Sequence, residues 1–235
     1  MKILLLAAGK GERFTSQGFP PKPLIDVNGV QMWEHTLDNF LSHIPHKNYD
    51  VIIATRPEYG ISSDVYTVVN LHEPQYGAAW SAESALREWQ NCDEDLIILN
   101  IDQVIEFDWT QFEQIVQNGV NGLFHFIEPS NEYKWGRSVI DLQYYTVSAI
   151  IEKIPVSNYA HTGHYHFTSV SKFMHYARKL FSLNIKVNGE YFLSPIYNLM
   201  IADGEIIEPF FVDSFIPFGI PDELNEYLAF RKMIK

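Results

Sequence analysis

The sequence is poor in cysteine, in positive charge and in long apolar runs, and each shortage closes off a class of function. Its one cysteine, Cys92, allows no intrachain disulfide and no cysteine zinc cluster. No basic residue lies close enough in sequence to favour a thiolate, so Cys92 reads as a free thiol near a helix end rather than a nucleophile. Lys and Arg number 17 against 29 Asp and Glu, a net charge of −12. A broad nucleic-acid or anionic-membrane surface needs a basic field, so neither partner is expected. A small basic pocket for a phosphorylated ligand is compatible with that balance. No stretch approaches the length of a membrane span. The start, MKILLLAAGKGERF, has too short an apolar run for a signal peptide, and glycines and charges stand where a cleavage site would sit. A cytoplasmic protein is expected. Repeats, low-complexity tracts and Pro-, Gly- or Ser-rich linkers are also missing. One domain over residues 1–235, with an inserted or appended lobe, fits that texture.

What is present is a globular α/β pattern. Apolar residues make up 46% and aromatics 14%. Residues 2–7, 50–55 and 96–101 are continuous apolar runs that suit strands buried on both faces, and 65–70 is a further strand. Trp33, Leu37, Phe40, Leu41 and Ile44 repeat at helical spacing, which predicts a helix over 31–44. Further helices are expected at 77–89 and 109–117, and a strand at 121–127. In the second half, 138–153 and 164–170 read as strands and 171–182 and 190–203 as helices. Strands near 205–218 and a final helix at 221–234 close the chain. Alternation of buried strands with helices predicts a mixed, mainly parallel, Rossmann-like sheet with helices on both faces. Ligands of such sheets bind beyond the carboxyl ends of the strands, where both Gly9–Arg13 and Asp102 fall.

A strand entering a glycine-rich loop lets backbone N–H groups approach phosphate oxygens. Lys10, Arg13 and Lys22 would add the charge that phosphoryl transfer requires. The stretch is neither a P-loop nor a dinucleotide fingerprint, since GKGER lacks the spacing of both. On spacing alone a phosphate cradle and an ordinary turn with solvated cations both stand.

LAAGKGERF followed by PPKPLIDVNG resembles the signature of the sugar-1-phosphate nucleotidyltransferases, pyrophosphorylases of the nucleotide-diphospho-sugar, GT-A-like fold. QYGAA at 75–79 is similar to the family's Gln-x-Gly-Thr-Ala element, and NIDQ at 100–103 to its metal-binding segment. Trp135-Gly136, Glu152-Lys153 and HTGHYHF at 161–167 are similar to its Tyr-Gly, Glu-Lys-Pro and Ser-Gly-Ile-Tyr-x-Phe elements. NGEYFLSPIYNLMIADG and GIPDEL follow in family order. The resemblance implies transfer of a nucleotidyl group from a nucleoside triphosphate to a phosphorylated acceptor, a sugar 1-phosphate above all, with release of pyrophosphate. It implies that Leu6, Ala7, Ala8, Gly9 and Gly11 line the nucleotide, that Arg13 covers the leaving pyrophosphate, and that Lys22 contacts the α-phosphate. Gln75 and Gly77 would read a base, with a pyrimidine triphosphate (CTP, UTP or dTTP) favoured. Asp102 would bind Mg²⁺. Gly136, Glu152, Lys153 and Gly163 would bind the acceptor. Residues 1–130 would then be mainly the nucleotide part and 131–235 mainly the acceptor lobe.

The pattern breaks in places. Ala78 and Ile220 replace family threonines, and the proline after Glu152-Lys153 is displaced to Pro155. Pro217 stands where many members place a second metal aspartate, which leaves Asp213 as the nearest upstream substitute. HTGHYHF and NGEYFLSP resemble a subgroup from surface-polysaccharide biosynthesis. Within it, cytidylyl transfer to a non-sugar phosphate is an alternative. A glycosyltransferase would carry Asp-x-Asp where NIDQ stands, and a non-catalytic nucleotide-sugar-binding homologue need not keep Arg13, Lys22 and Asp102. An oligomer is compatible with the sequence. His164 and His166 share one side of a strand. They are expected to be hydrogen-bonded or pocket-lining rather than zinc ligands with His161. Phe192, Tyr197, Phe210 and Phe211 are expected in the core.

Overall fold

The structure is a computed structural model and describes residues 1–46, 48–72 and 76–233. Its elements run β1 (Lys2–Leu6), α1 (Glu12–Thr15), β2 (Asp26–Val27), β3 (Val30–Gln31), α2 (Met32–Ser42), β4 (Asp50–Thr55), β5 (Thr67–Asn70), α3 (Ala78–Ala85), β6 (Leu96–Leu99) and β7 (Gln103–Glu106). The chain continues through α4 (Trp109–Gln117), β8 (Asn121–Ile127), β9 (Gly136–Asp141), β10 (Thr146–Glu152), β11 (Tyr159–Phe167), α5 (Val170–Ser182), α6 (Ser194–Ala202), β12 (Ile207–Phe211), β13 (Ser214–Pro217) and α7 (Pro221–Met233).

The first half builds a parallel block in the order β5–β4–β1–β6. Side chains alternate across each strand, and both sets are apolar here, as the continuous hydrophobic runs require. Leu4, Leu6, Ile52, Ala54, Leu96 and Ile98 pack on one face with α3, α5 and α6. Ile3, Leu5, Val51, Ile53, Ile97 and Leu99 pack on the other with Trp33, Leu37 and Phe40 of α2. Beyond β6 the pairing turns antiparallel through β11, which hydrogen-bonds both β8 and β9. The sheet is therefore mixed: parallel where β1 and β6 end at the glycine loop and Asp102, and largely antiparallel in the second half.

Local chemistry explains where helices begin. Gln31 and Glu34 form a capping box at α2, Asp108 accepts from Thr110 N at α4, and the Ser169 hydroxyl accepts from Lys172 N at α5. It also explains where the expected bounds shift. The helix expected over 190–203 starts only at Ser194: a two-residue turn at Asn188-Gly189 (φ 51° and 84°) bridges Val187 and Glu190, and the backbone of Tyr191 is then committed to Tyr76 and Ala79. The strand expected from residue 65 begins at Thr67, since the Ser63 hydroxyl takes the Val65 and Tyr66 N–H groups. The helix over 77–89 ends at Ala85 and gives way to a 3-10 turn at Arg87–Trp89. Of the four aromatics expected in the core, Tyr197 and Phe210 are buried. Phe192 and Phe211 are only half-buried, and Phe192 lies under the Lys153 ammonium, 5.1 Å from its ring centre. No helix among the described residues is long and apolar enough to cross a membrane.

Phe124 is fully buried against Phe40, Phe107, Phe112 and Phe210. Phe124→Ala should cost about 3–5 kcal/mol in equilibrium urea unfolding. A loss below about 1 kcal/mol would contradict this packing.

Candidate active site

The loop after β1 is tied to the segment that follows β4. Arg56, just past β4, donates Nε to the Ala8 carbonyl at 2.7 Å, and the Tyr59 hydroxyl donates to the Gly9 carbonyl at 3.2 Å. Residues Ala8 to Arg13 of that loop line the cleft. Gly9 has open space where a Cβ would sit. Gly11 takes φ +65°, and a Cβ there would lie 2.5 Å from the Cβ of Lys22. Only glycine allows the loop to press that closely on Lys22.

Asp102 is positioned from the opposite side. The Thr36 hydroxyl on α2 donates to the Ile101 carbonyl at 2.8 Å, and Asn39 Oδ1 accepts from Ile105 N at 2.9 Å. Phe218 N donates to the Asp102 carbonyl at 2.8 Å, which ties the end of β13 to the same turn. The result is a Lys22 Nζ–Asp102 Oδ2 ion pair of 2.5 Å between residues 80 positions apart. It lies in a cleft of about 620 Å³ lined by Leu6, Ala8, Gly9, Gly11, Arg13, Lys22, Gly77 and Asp102. Ala7 is fully buried beneath it. Arg13 and Lys10 are exposed at its wall and form no ion pair among the described residues. Gln75 lies outside the described residues.

Gly77 has a structural duty of its own. At φ +126° a Cβ would lie 2.5 Å from the Tyr191 carbonyl oxygen. That carbonyl accepts from Ala79 N, and Tyr191 N donates to the Tyr76 carbonyl. The turn at Asn188-Gly189 is thereby seated against the start of α3, and Glu190 joins the cleft wall.

The residues expected at the acceptor form a second group. Gly136 and Glu152 are direct partners in the β9–β10 ladder, and the Glu152 carboxylate accepts from the Ser194 hydroxyl. Burial pushes the Glu152 carboxyl up from its ordinary value. Lys153 has φ 56°, with its N–H donated to the Trp135 carbonyl. Gly163, at φ +85°, marks the irregularity in β11, where a Cβ would lie 2.6 Å from Asn100 Nδ2. It shapes the strand beside Asp102. Tyr165 links the two groups: burial and the Glu152 and Asp102 carboxylates push its hydroxyl well up.

Asp213 does not join the site. Its N–H pairs with the Glu106 carbonyl at the far end of the β7–β13 ladder, whereas Asp102 adjoins the Gln103↔Pro217 end. The acid that does approach is Glu223 on α7. A Cβ on Gly219 would lie 2.6 Å from Asp102 Oδ2 and 3.8 Å from Glu223 Oε2, and Gly219 N donates to Glu223 at 3.0 Å. Lys134 pairs with Glu223 and lies within the field of Arg13 and Asp102. Arg56 and Lys134 belong to no motif and are reached only through tertiary contacts, whereas Tyr165 lies within HTGHYHF without having been singled out there. The GIPDEL stretch was the one sequence signal that touched Glu223.

No group of three or more His, Cys, Asp and Glu poised for a metal occurs among the described residues. His164 bonds Thr162, and His166 accepts from Gly122 N and pairs with Asp95. These rings are structural.

Residues 3–112 match the MobA-like NTP transferase domain. No curated protein matches the chain significantly. Among solved structures, a nucleoside-diphosphate-sugar pyrophosphorylase from Vibrio cholerae RC9 superposes with TM-score 0.78 at 23% identity, over 97% of this chain and 100% of that one. A proposed glucose-1-phosphate thymidylyltransferase from Bacillus anthracis, in complex with sucrose, gives 0.75 at 18%, over 100% and 96%. HddC from Yersinia pseudotuberculosis, complexed with GMP-PN, gives 0.68 at 16%, over 98% and 99%. At these identities the superpositions establish the fold alone: a mixed sheet, parallel at its centre, with helices on both faces. With the domain match they support nucleotidyltransferase activity.

Burial holds His125 down at about 4, His164 at about 3, and His161 well below its usual range. An unfolded histidine titrates near 6.5, so between that pH and about 4 the unfolded chain binds more protons than the folded one. Stability should therefore fall as pH drops from 7 toward 5, by up to about 1.4 kcal/mol per pH unit for each of these histidines. Urea midpoints that do not change over that range would contradict their neutral burial.

Proposed function

We propose that this protein is a Mg²⁺-dependent nucleotidyltransferase that joins a nucleoside triphosphate, a pyrimidine one by preference, to a phosphorylated acceptor, with release of pyrophosphate. A sugar 1-phosphate is the leading acceptor. The observation that carries the reading is the Lys22–Asp102 pair in the cleft beyond β1 and β6, walled by the Gly9–Arg13 loop.

The chemistry asks little covalent work of the protein. An acceptor phosphate oxygen attacks the α-phosphorus in line and pyrophosphate leaves, so positioning and neutralisation of charge dominate. Loop N–H groups at Gly9 and Gly11 would hold the triphosphate, and Arg13 would cover the leaving pyrophosphate. Lys22 would exchange its carboxylate partner for the α-phosphate, where charge builds in the transition state. Lys153 would hold the acceptor phosphate, and Glu152 would hydrogen-bond the acceptor's body.

Mg²⁺ is held by one or two carboxylates completed by phosphate oxygens and water. Asp102 and Glu223, two oxygen-donor acids converging at Gly219, fit that requirement, and the Lys22 and Lys134 ammonium groups that face them supply the balancing charge without it. When bound, the ion neutralises triphosphate charge.

Pyrophosphate release, assayed with CTP, UTP, dTTP, ATP and GTP against a panel of phosphorylated acceptors, tests the reading. At least one pair should turn over and stop on addition of EDTA; no pyrophosphate from any pair would contradict it. Lys22→Ala and Asp102→Asn should each lower turnover more than tenfold with an unchanged circular dichroism spectrum. Near-normal turnover in either variant would remove that residue from the site.

A further inference from the structure

Each of the two acids that meet at Gly219 already carries a lysine. Lys22 Nζ lies 2.5 Å from Asp102 Oδ2, and Lys134 Nζ donates to Glu223 Oε1. Glu223 Oε2 accepts from Gly219 N at 3.0 Å, and Gly219 packs on Asp102 Oδ2, so the two ion pairs share one corner of the cleft. Lys22 comes from the motif-bearing loop. Lys134 comes from the segment between β8 and β9 and belongs to no motif.

That segment is fixed from inside the protein. The guanidinium of Arg137, fully buried, donates to the Glu128 and Ser157 carbonyls at 2.6 Å and to the Ser130 carbonyl at 2.7 Å. Lys134 leaves this turn with its ammonium 4.3 Å from the centre of the Trp135 ring, which packs on Phe126 and Phe215. Glu223 is its one hydrogen-bond partner among the described residues. Burial lowers the pKa of Lys134, the carboxylates of Glu132, Asp102 and Glu128 oppose that shift, and the Arg13 guanidinium adds to it. Two cations, Arg13 and Lys134, therefore repel one another across this corner, and an anion between them relieves the repulsion.

A divalent ion bound directly by Asp102 and Glu223 displaces both lysines, and a half-buried ammonium left without an anion is costly. A triphosphate entering alone meets lysines that are already neutralised. Each ligand thus removes the obstacle to the other, since the ion frees the lysines and the phosphates take them up. We propose that Lys134 is a further nucleotide-binding residue, held on Glu223 until Mg²⁺ takes that carboxylate and then moving onto the β- or γ-phosphate of the triphosphate. The destination is the nucleotide rather than the acceptor because Arg13, whose field Lys134 shares, lies on the nucleotide loop. The inference rests on the transferase reading above and gives the metal and the triphosphate a positive coupling at this corner.

Binding measurements test it without turnover. Free Mn²⁺, titrated into the nucleotide-free protein and followed by electron paramagnetic resonance, should bind about tenfold more tightly to Lys134→Gln than to the wild type, because Glu223 no longer carries an ammonium. With Mg²⁺ present, calorimetry should show the same variant binding the tightest of CTP, UTP and dTTP about tenfold more weakly, with its affinity for the matching nucleoside monophosphate unchanged. Lys134→Arg, which keeps the charge, should retain the wild-type triphosphate affinity. A pair that only anchors α7 behaves differently: Lys134→Gln would then leave Mn²⁺ affinity unchanged or weaker and would shift mono- and triphosphate affinities together. Either of those results overturns the inference, and pyrophosphate release by the wild type would leave the transferase reading intact beside it. A wild-type protein that binds no triphosphate overturns both.

Discussion

Everything in the cleft depends on bringing a lysine from the first loop region within ion-pair distance of an aspartate 80 residues later. Lys22 and Asp102 are held by different parts of the fold, and neither strand alone would place them. Gly11 permits the close approach on one side, while α2 fixes the Ile101–Ile105 segment on the other. Parallel pairing of β1 with β6 supplies the common origin, because both strands end at the same edge of the sheet. An acidic chain can thereby keep a cationic wall in one place and nowhere broad.

The second half of the chain serves that edge in a different way. β11 reverses direction against β6, and its irregularity at Gly163 sets the strand beside Asn100 and Asp102. Tyr165 then stands within reach of both the Asp102 and Glu152 fields. A hydrogen-bonded line runs from the Leu123 carbonyl through His125 and Ser138 to His161.

The parallel block and the two strand ends at the cleft were legible in the sequence, because continuous apolar runs ending in Gly9 or Asp102 suit buried parallel strands. Lys22 and Asp102 were legible as members of motifs. Their pairing was not, since nothing in either motif encodes the distance between them. Asp213 was a reasonable substitute by proximity in sequence, but strand register carries it to the wrong end of the β7–β13 ladder, and Glu223 arrives from the next helix instead. The Asn188-Gly189 turn was readable as a hairpin signal, yet the apolar spacing around it gave the helix expectation that the structure shortens. His161 was visible only as one histidine among three. Its hydrogen bond to Ser138, shared with His125, is a tertiary contact that no local pattern contains.

The most direct test of the account follows the α-phosphorus. Incubation of the protein with an α-³²P-labelled pyrimidine triphosphate, a hydroxylated phosphate acceptor and Mg²⁺ should move the label into a diphosphate-linked product, with unlabelled pyrophosphate released in equal amount. Label remaining in free nucleoside mono- or diphosphate, with none joined to the acceptor, would contradict nucleotidyl transfer as the reaction of this cleft.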